Sequence, residues 1–281
     1  MPRSNAKPNV NVDDRPEAKR ATPRRYYPTP ALEKGLDILE LFAATPAGLT
    51  VSEVARSLNR TVSEIFRMLL CLEQRGYLAQ SASKDRYQLT LRLFRLAQEH
   101  PPTKRLVTEA LPVMHRIAQQ TRQSCHLGVV DSGHVVILAQ VDSPEPTGFY
   151  VKVGSKIDLM HAATGHVILA HQTDESCHRI VQEWAQQSGK KQPSDLKLHL
   201  ARIRARGHER RASYEVTGVM NISYPVLNVQ GEAVAGLTVP YVKRIEQAVG
   251  VAEVIAALKH GSRQISEALG AMPTATIRSA D

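Results

Sequence analysis

Three histidines at a regular interval, His161, His166 and His171, are the residues in this chain whose type and spacing first suggest chemistry. Imidazole is a common metal ligand, and a pair at i and i+4 on one helix would chelate zinc. A spacing of five instead sets successive residues about 140° apart around a helix, so the three do not converge and read as unrelated histidines. His161 alone is a candidate to cap a pocket. The chain has no Gly-x-Ser-x-Gly elbow, no phosphate-binding loop ending in Gly-Lys-Ser/Thr and no His-Glu-x-x-His. Ser132, in the turn Asp131-Ser132-Gly133, lacks a partner constellation that would make it a nucleophile. The sequence therefore implies no catalytic residue, no metal and no cofactor. The set with a use is Ser63, Glu64 and Arg67, inside the run Arg60-Thr61-Val62-Ser63-Glu64-Ile65-Phe66-Arg67-Met68-Leu69-Leu70.

Thr50-Val-Ser-Glu53 and Thr61-Val-Ser-Glu64 are two capping boxes, in which a Thr hydroxyl accepts from the third amide and the Glu reaches back. Eleven residues separate them. Between them Val51, Val54, Ala55 and Leu58 phase as the buried face of a short helix, and Asn59-Arg60 makes a turn. In the next helix Ile65, Leu69 and Leu72 face the core, with Phe66 or Met68 at the margin. This is the pattern of a helix-turn-helix, whose second helix enters a DNA major groove. Arg67 is the candidate for a bidentate guanine contact or a phosphate clamp. Glu64 either accepts from a cytosine amino group or only closes the capping box. The hydroxyls of Thr61 and Ser63, with the helix N-terminal amides, suit phosphates. Arg60, Val62 and Phe66 complete the outer surface, which Val62 and Phe66 make less polar than a typical reading helix. Gly76 suits a left-handed helix stop, and Tyr77-Leu78-Ala79 and Arg86–Thr90 flank the polar loop Ser81–Asp85. That hairpin, with Lys84 and Arg86 at its tip, is either a DNA-contacting wing or an ordinary solvated hairpin.

A chain of 281 residues exceeds the usual single domain, so two are expected. Its 42% hydrophobic and 22% charged residues suit soluble folded cores. The net charge of +9 fits a nucleic-acid partner and equally fits many proteins with none. Residues 1–100 hold 16 Lys+Arg against 11 Asp+Glu, so nearly half of the excess lies elsewhere and charge alone does not locate a DNA site. Cys71, Cys125 and Cys177 lie about fifty residues apart, neither a disulfide framework nor a metal spacing. Cys71, within an apolar helical pattern, is expected to be a core thiol. The start lacks an apolar signal core and no run of eighteen apolar residues occurs, so no membrane partner and a reduced, cytoplasmic location are expected.

Residues 1–28 form a basic, proline-bearing segment with too little apolar surface to fold, and are expected to be a disordered tail. There Lys19, Arg20, Arg24 and Arg25 read either as an arm for phosphates or a minor groove or as solvated charge. A winged helix-turn-helix domain is assigned to 29–90, beginning with a helix phased by Leu32, Leu36, Leu39 and Phe42. A linker helix follows at 91–102, stopping at Pro101-Pro102, with a Leu/Phe-rich face able to meet a second copy. Residues 103–271 form a second domain and 272–281 a flexible tail. In that domain helices are expected over Leu106–Gln120, Thr164–His171, Asp174–Gln187, Leu196–Arg206 and Glu246–Leu269. Strands are expected over Cys125–Val130, His134–Val141, Phe149–Val153, Met220–Val229 and Glu232–Val239. Antiparallel hairpins flanked by helices make this α+β rather than doubly wound.

The chain resembles the IclR family of bacterial transcriptional regulators over about Thr29–Gly270. The match is carried by Ala31-Leu-Glu-Lys-Gly-Leu-Asp-Ile-Leu39, Gly48-Leu-Thr-Val-Ser-Glu-Val-Ala55, Phe66-Arg-Met-Leu-Leu70, Leu72-Glu-Gln-Arg-Gly-Tyr-Leu78 and Arg86-Tyr-Gln-Leu89. Further on it is carried by Gly154, Ala162–Ala170, Ile203-Arg-Ala-Arg-Gly207, Gly218-Val219 and Tyr224-Pro-Val226. The resemblance implies an N-terminal winged helix-turn-helix, a linker helix and a GAF-like C-terminal domain that binds a small organic effector. It implies a homodimer or tetramer on a double-stranded DNA operator, acting as repressor, activator or both, often on catabolic genes. Carried over by position, the effector pocket includes Phe149, Ile157, Ala163, Thr164, Asn221 and Thr238, with the amides near Ala163-Thr164 suited to a carboxylate. Three places depart from the family: His166 stands where Lys is frequent, Arg210 and Arg211 where an acid is, and Asn221 where Cys is. Arg211 faces either the surface or the pocket, where it would suit an anionic or aromatic acid. The rival readings are an enzyme, or a protein-interaction module, carrying a winged-helix domain.

Overall fold

The computed structural model describes residues 28–82, 85–99, 101–245 and 249–271, in two compact units that divide between Phe94 and Arg95. The basic arm, Lys84, the expected start of the closing helix at Glu246 and the tail from 272 lie outside the described residues.

The first unit opens with α1 (Pro30–Ala43), α2 (Val51–Ser57) and α3 (Val62–Gln74), followed by a hairpin of β1 (Leu78–Gln80) and β2 (Tyr87–Leu89). Both capping boxes form: Thr50 and Glu53 exchange hydrogen bonds at 2.8 and 3.2 Å, and Thr61 and Glu64 at 3.3 Å each way. Those bonds satisfy amides that a helix start otherwise leaves open. The core is Ile38, Phe42, Val54, Ala55, Ile65, Leu69, Leu78 and Tyr87. Two expectations fail for the same geometric reason. Cys71 is exposed, because six residues after Ile65 carries it about 240° round the helix, off the buried seam. Leu32 and Leu36 are 61% and 50% exposed, because the buried face of α1 is set by Ile38 and Phe42 on the other side.

Gly48 joins α1 to α2 at φ +76°, and a Cβ there would stand 2.5 Å from the Tyr87 carbonyl oxygen. Leu49 and Tyr87 pair as an isolated bridge beside it, tying the hairpin to the helices. Gly48→Ala is therefore expected to destabilise the first unit by roughly 1–2 kcal/mol. Urea denaturation followed by circular dichroism checks this, and an unchanged midpoint would refute it.

Helix α4 (Arg92–Glu99) leads to α5 (Pro101–Thr121). The second helix begins at Pro101, earlier than the Leu106 expected from apolar phasing, because proline is well placed at a first helical position. There follow β3 (Cys125–Asp131), β4 (His134–Val141), β5 (Lys156–Asp158), α6 (Ala163–Ala170), α7 (Asp174–Ser188), α8 (Leu196–Arg206), β6 (Glu209–Ala212), β7 (Val219–Leu227), β8 (Ala233–Val242) and α9 (Val251–Ala268). The strands form one antiparallel six-stranded sheet in the order β5-β4-β3-β8-β7-β6. One face packs on α5 and α9 through residues such as Met114, Leu127, Leu237 and Leu258. The other packs on α6, α7 and α8 through Val135, Ile137, Val167, Trp184 and Ile203. The fold is α+β, with helices on both faces of the sheet.

Three elements differ from expectation. Phe149–Val153 is not a strand; the segment runs irregularly until β5, and the Ser124 hydroxyl donates to the Phe149 carbonyl. Glu209–Ala212 is a strand although Glu-Arg-Arg-Ala shows no apolar alternation, as an edge position allows. The closing helix starts at Val251, with Gly250 as its N-cap.

Candidate functional site

Helix α3 presents Arg60, at its approach, with Thr61, Ser63, Phe66 and Arg67 to solvent; Val62 and Phe66 are about half exposed. Arg67 forms no ion pair among the described residues. Glu64 differs. Its carboxylate takes the Thr61 amide and hydroxyl, and Lys34 Nζ of α1 sits 2.6 Å away. The Lys34 hydrogen bond, then those from Thr61, hold its pKa down to about 2. Glu64 is thus engaged as a cap and as a tie to α1, which favours the capping-box reading over the cytosine contact. Thr61 likewise spends its hydroxyl on the same box.

Arg86 requires correction. It is not a free cation at a wing tip: Nη1 donates to the Gly48 carbonyl at 2.9 Å and Nη2 to Glu53 Oε1 at 3.1 Å. The guanidinium thereby fastens the hairpin to the start of α2. Its turn partner in the expectation, Lys84, lies outside the described residues.

The second unit holds a cavity of about 480 Å³ above the sheet at the start of α6. Phe149, Ile157, Ala163, Thr164, Asn221 and Thr238 all line it, so the six positions carried over for the pocket are brought together. The structure adds His126, Tyr150, Val151, Lys152, Ser155, Lys156, Ala162, Ser213, Tyr214 and Glu215. The irregular segment that replaced an expected strand forms one wall. No side chain caps α6 at Ala162, leaving the positive end of the helix toward the cavity. Lys152 and Lys156 stand against one acid, Glu215, so the lining favours an anion. Tyr214 stacks on His161 at 4.9 Å, and His161 lies 3.5 Å from Asp158, which also accepts from Trp184 Nε1 at 3.3 Å. On the floor, Thr238 Oγ1 lies 2.8 Å from Thr164 Oγ1 and 2.6 Å from Ser223 Oγ.

Arg211 is neither on the open surface nor in the cavity lining. Its Nη1 donates to the Met160 carbonyl at 3.2 Å and lies 3.0 Å from His166 Nδ1. The three evenly spaced histidines take separate partners: His161 meets Asp158 and Tyr214, His166 meets Arg211, and His171 Nδ1 lies 2.9 Å from the Val167 carbonyl. Among the described residues, no group of three or more His, Cys, Asp or Glu is placed to hold a metal ion.

Burial holds His126 near pKa 4; burial, then the Arg211 guanidinium, holds His166 near 3. Both start from an ordinary value of 6.5. On acidification the unfolded chain takes up these protons first. The stabilisation from keeping both imidazoles neutral is therefore complete above 6.5 and is lost as pH falls through about 4 and then 3. Thermal unfolding of the second unit is expected to move to lower temperature between pH 6.5 and 4, and His126→Asn to flatten part of that slope. A pH-independent midpoint across this window would show that His126 is protonated within the fold.

The sequence profile of the bacterial transcriptional regulator IclR C-terminal domain matches residues 103–267, more than half of the chain. The IclR helix-turn-helix domain matches residues 31–82. The chain belongs to the IclR family. It is a ligand-responsive DNA-binding transcriptional regulator, with the helix-turn-helix in the first unit and the effector domain in the second. The regulator BhcR of Paracoccus denitrificans is 28% identical over 213 residues, covering 74% of this chain and 76% of that one. KdgR of Escherichia coli is 25% identical over 224 residues, covering 78% and 85%. The crystal structure of the Thermotoga maritima IclR protein superposes with a TM-score of 0.68 at 25% identity, over 85% of this chain and 98% of that one. An IclR homologue from Microbacterium hydrocarbonoxydans complexed with 4-hydroxybenzoate shares the fold, with a TM-score of 0.69 at 21% identity and the same coverage. Among the described residues no helix is long and apolar enough to cross a membrane.

Proposed function

We infer that α3 reads an operator in the DNA major groove, and that a small carboxylic acid in the second unit's cavity alters that binding. The observation that carries the reading is the outer face of α3, where Ser63 and Arg67 are exposed beside Arg60 while Glu64 is consumed by the fold. Arg67 suits a guanine edge, Ser63 a phosphate, and the exposed Val62 and Phe66 a thymine methyl. Lys84 remains assigned to the phosphate backbone, whereas Arg86 ties the hairpin to Gly48 and Glu53.

The anionic preference rests on the uncapped start of α6 and on Lys152 and Lys156. The complex of a homologue with 4-hydroxybenzoate supports a small organic or aromatic acid as the ligand class. The regulator works as a homodimer or tetramer in the cytoplasm, repressing or activating catabolic genes. Leu32, Leu36, Leu91 and Phe94, between 50% and 74% exposed in the first unit, are the apolar surface a second copy would cover. Two copies place their recognition helices on half-sites about 34 Å apart, or at a multiple of that. The acid acts by binding one conformation better than the other, and its influence is bounded by that difference in affinity.

The test is fluorescence anisotropy of the full chain on the DNA upstream of its own coding sequence. Binding should weaken steeply as salt rises, since each phosphate contact releases counterions, and should shift when a ligand acid is added. Absent or salt-insensitive binding would favour a protein-interaction module instead.

A further inference from the structure

We propose that the cavity selects carboxylic acids that carry a hydroxyl group, and that His126 is the residue that reads the hydroxyl. The inference rests on the cavity's being the effector site and goes further in naming what the ligand must present besides its charge.

The sheet carries a polar row across an otherwise apolar interior. Strand register makes Gln140, His126, Thr238, Ser223 and Glu209 successive cross-strand neighbours on β4, β3, β8, β7 and β6. Most members have partners. Ser223 and Thr238 bond to one another, Thr238 bonds to Thr164 of α6, and Glu209 meets Arg206 at 3.4 Å. Two atoms of the row are buried without a protein partner, His126 Nδ1 and Gln140 Oε1. His126 is 4% exposed and lines the cavity. Buried polar groups are almost always satisfied, and His126 stands in the cavity wall with an unpartnered imidazole nitrogen, so the occupant of the cavity is the group placed to complete that ring.

The type of group follows from the imidazole. Its burial keeps it neutral across physiological pH, so the ring offers one N–H and one lone pair. A hydroxyl complements this in either tautomer, because it can accept from the N–H or donate to the lone pair. A carboxylate only accepts, and it has a better place at the start of α6 beside Lys152 and Lys156. The two places lie within one small molecule's reach. Thr164, in the first turn of α6, is bonded to Thr238, and Thr238 is the cross-strand neighbour of His126, about 5 Å away between Cβ atoms.

Isothermal titration of the full chain with acid pairs differing by one hydroxyl tests this: lactate and propionate, 3-hydroxybutyrate and butyrate, 4-hydroxybenzoate and benzoate. In the pair that binds best, the hydroxylated acid should bind at least about tenfold more tightly. His126→Leu should bring it down to its partner's level while leaving the partner within about twofold, and His126→Asn should keep part of the preference. Equal affinities within every pair, or a preference that survives His126→Leu, would overturn the proposal while leaving the cavity an acid site, with water completing His126. If none of the six acids binds, the acid-effector reading itself falls. Should the variants fail to fold, the imidazole ¹⁵N shifts of His126 in the unaltered chain still decide: they should move with the hydroxylated acid and stay with its partner, and equal movement would refute the assignment.

Discussion

Arg67→Ala should weaken specific operator binding by roughly 1–3 kcal/mol, or about 5- to 150-fold, and leave folding and oligomeric state unchanged. Arg67 lies on the exposed side of α3, away from the Ile65–Leu69 seam, and holds no ion pair among the described residues, so its loss costs the fold little. A second substitution separates its two readings. Arg67→Lys keeps the charge but loses the planar fork that matches the O6 and N7 acceptors of guanine. If Arg67 reads a base, Lys should behave nearly like Ala and discrimination at one operator position should relax. If it clamps a phosphate, Lys should retain most of the affinity, while Ala weakens all sequences alike and lowers the salt slope by about 1. Unchanged affinity in Arg67→Ala would remove it from recognition altogether. Glu64→Gln should show the opposite profile, because it removes the negative charge that Lys34 Nζ meets at 2.6 Å and weakens the capping box. Its effect belongs on stability and not on base preference.

That contrast between Arg67 and Glu64 shows what the sequence can carry. The two capping boxes were legible because each is an i to i+3 interaction within one turn of chain, and the buried seam Ile65–Leu69 because it follows helical period. What was not legible depends on residues far apart. Glu64 is committed by Lys34, thirty positions earlier, and Arg86 by Gly48 and Glu53, thirty-eight and thirty-three positions earlier. Local pattern holds no trace of either. The phasing of α1 misled for a related reason: leucines occur on both sides of the helix, and only packing decides that Ile38 and Phe42 lie inside.

In the second unit the family resemblance named six residues that do line one cavity, but it had no means of naming His126. That residue sits in a run, Cys125–Val130, that reads as uniformly apolar, and period two says only that Cys125 and His126 face opposite ways. A central strand is covered on both faces, so alternation there does not separate core from cavity. The sheet order and register are needed before His126, Thr238 and Ser223 line up. Arg211 shows the same limit in reverse, since its position next to Asn221 in the β6–β7 ladder suggests a pocket residue, yet its guanidinium turns to His166 and the Met160 carbonyl.

Gly165→Ala should abolish ligand response and destabilise the second unit, although alanine is the better helix former. Gly165 is the third residue of α6 and has helical backbone, so propensity alone favours alanine by about 1 kcal/mol. Space decides otherwise. A Cβ at this position would stand 2.5 Å from the Leu159 carbonyl oxygen and 2.9 Å from Leu159 Cδ1. The first obstacle is backbone, which cannot swing aside as a side chain can, and overpacking of this kind costs roughly 1–3 kcal/mol or more. Relief requires α6 to lift from the segment that leads out of β5. The same first turn carries Ala163 and Thr164 into the cavity and holds the Thr164–Thr238 hydrogen bond, so a displacement of about 1 Å is enough to misplace the amides proposed to hold the acid. The expected result is a lowered unfolding midpoint and acid affinity reduced by at least about tenfold, with DNA binding in the absence of ligand retained. Gly35→Ala in α1 is the control, because nothing lies within 4 Å of its Cβ position and propensity should act unopposed, raising stability by roughly 0.5–1 kcal/mol. Should Gly165→Ala be as stabilising as Gly35→Ala and keep its acid response, the close approach of α6 to Leu159 would not be what positions the effector site.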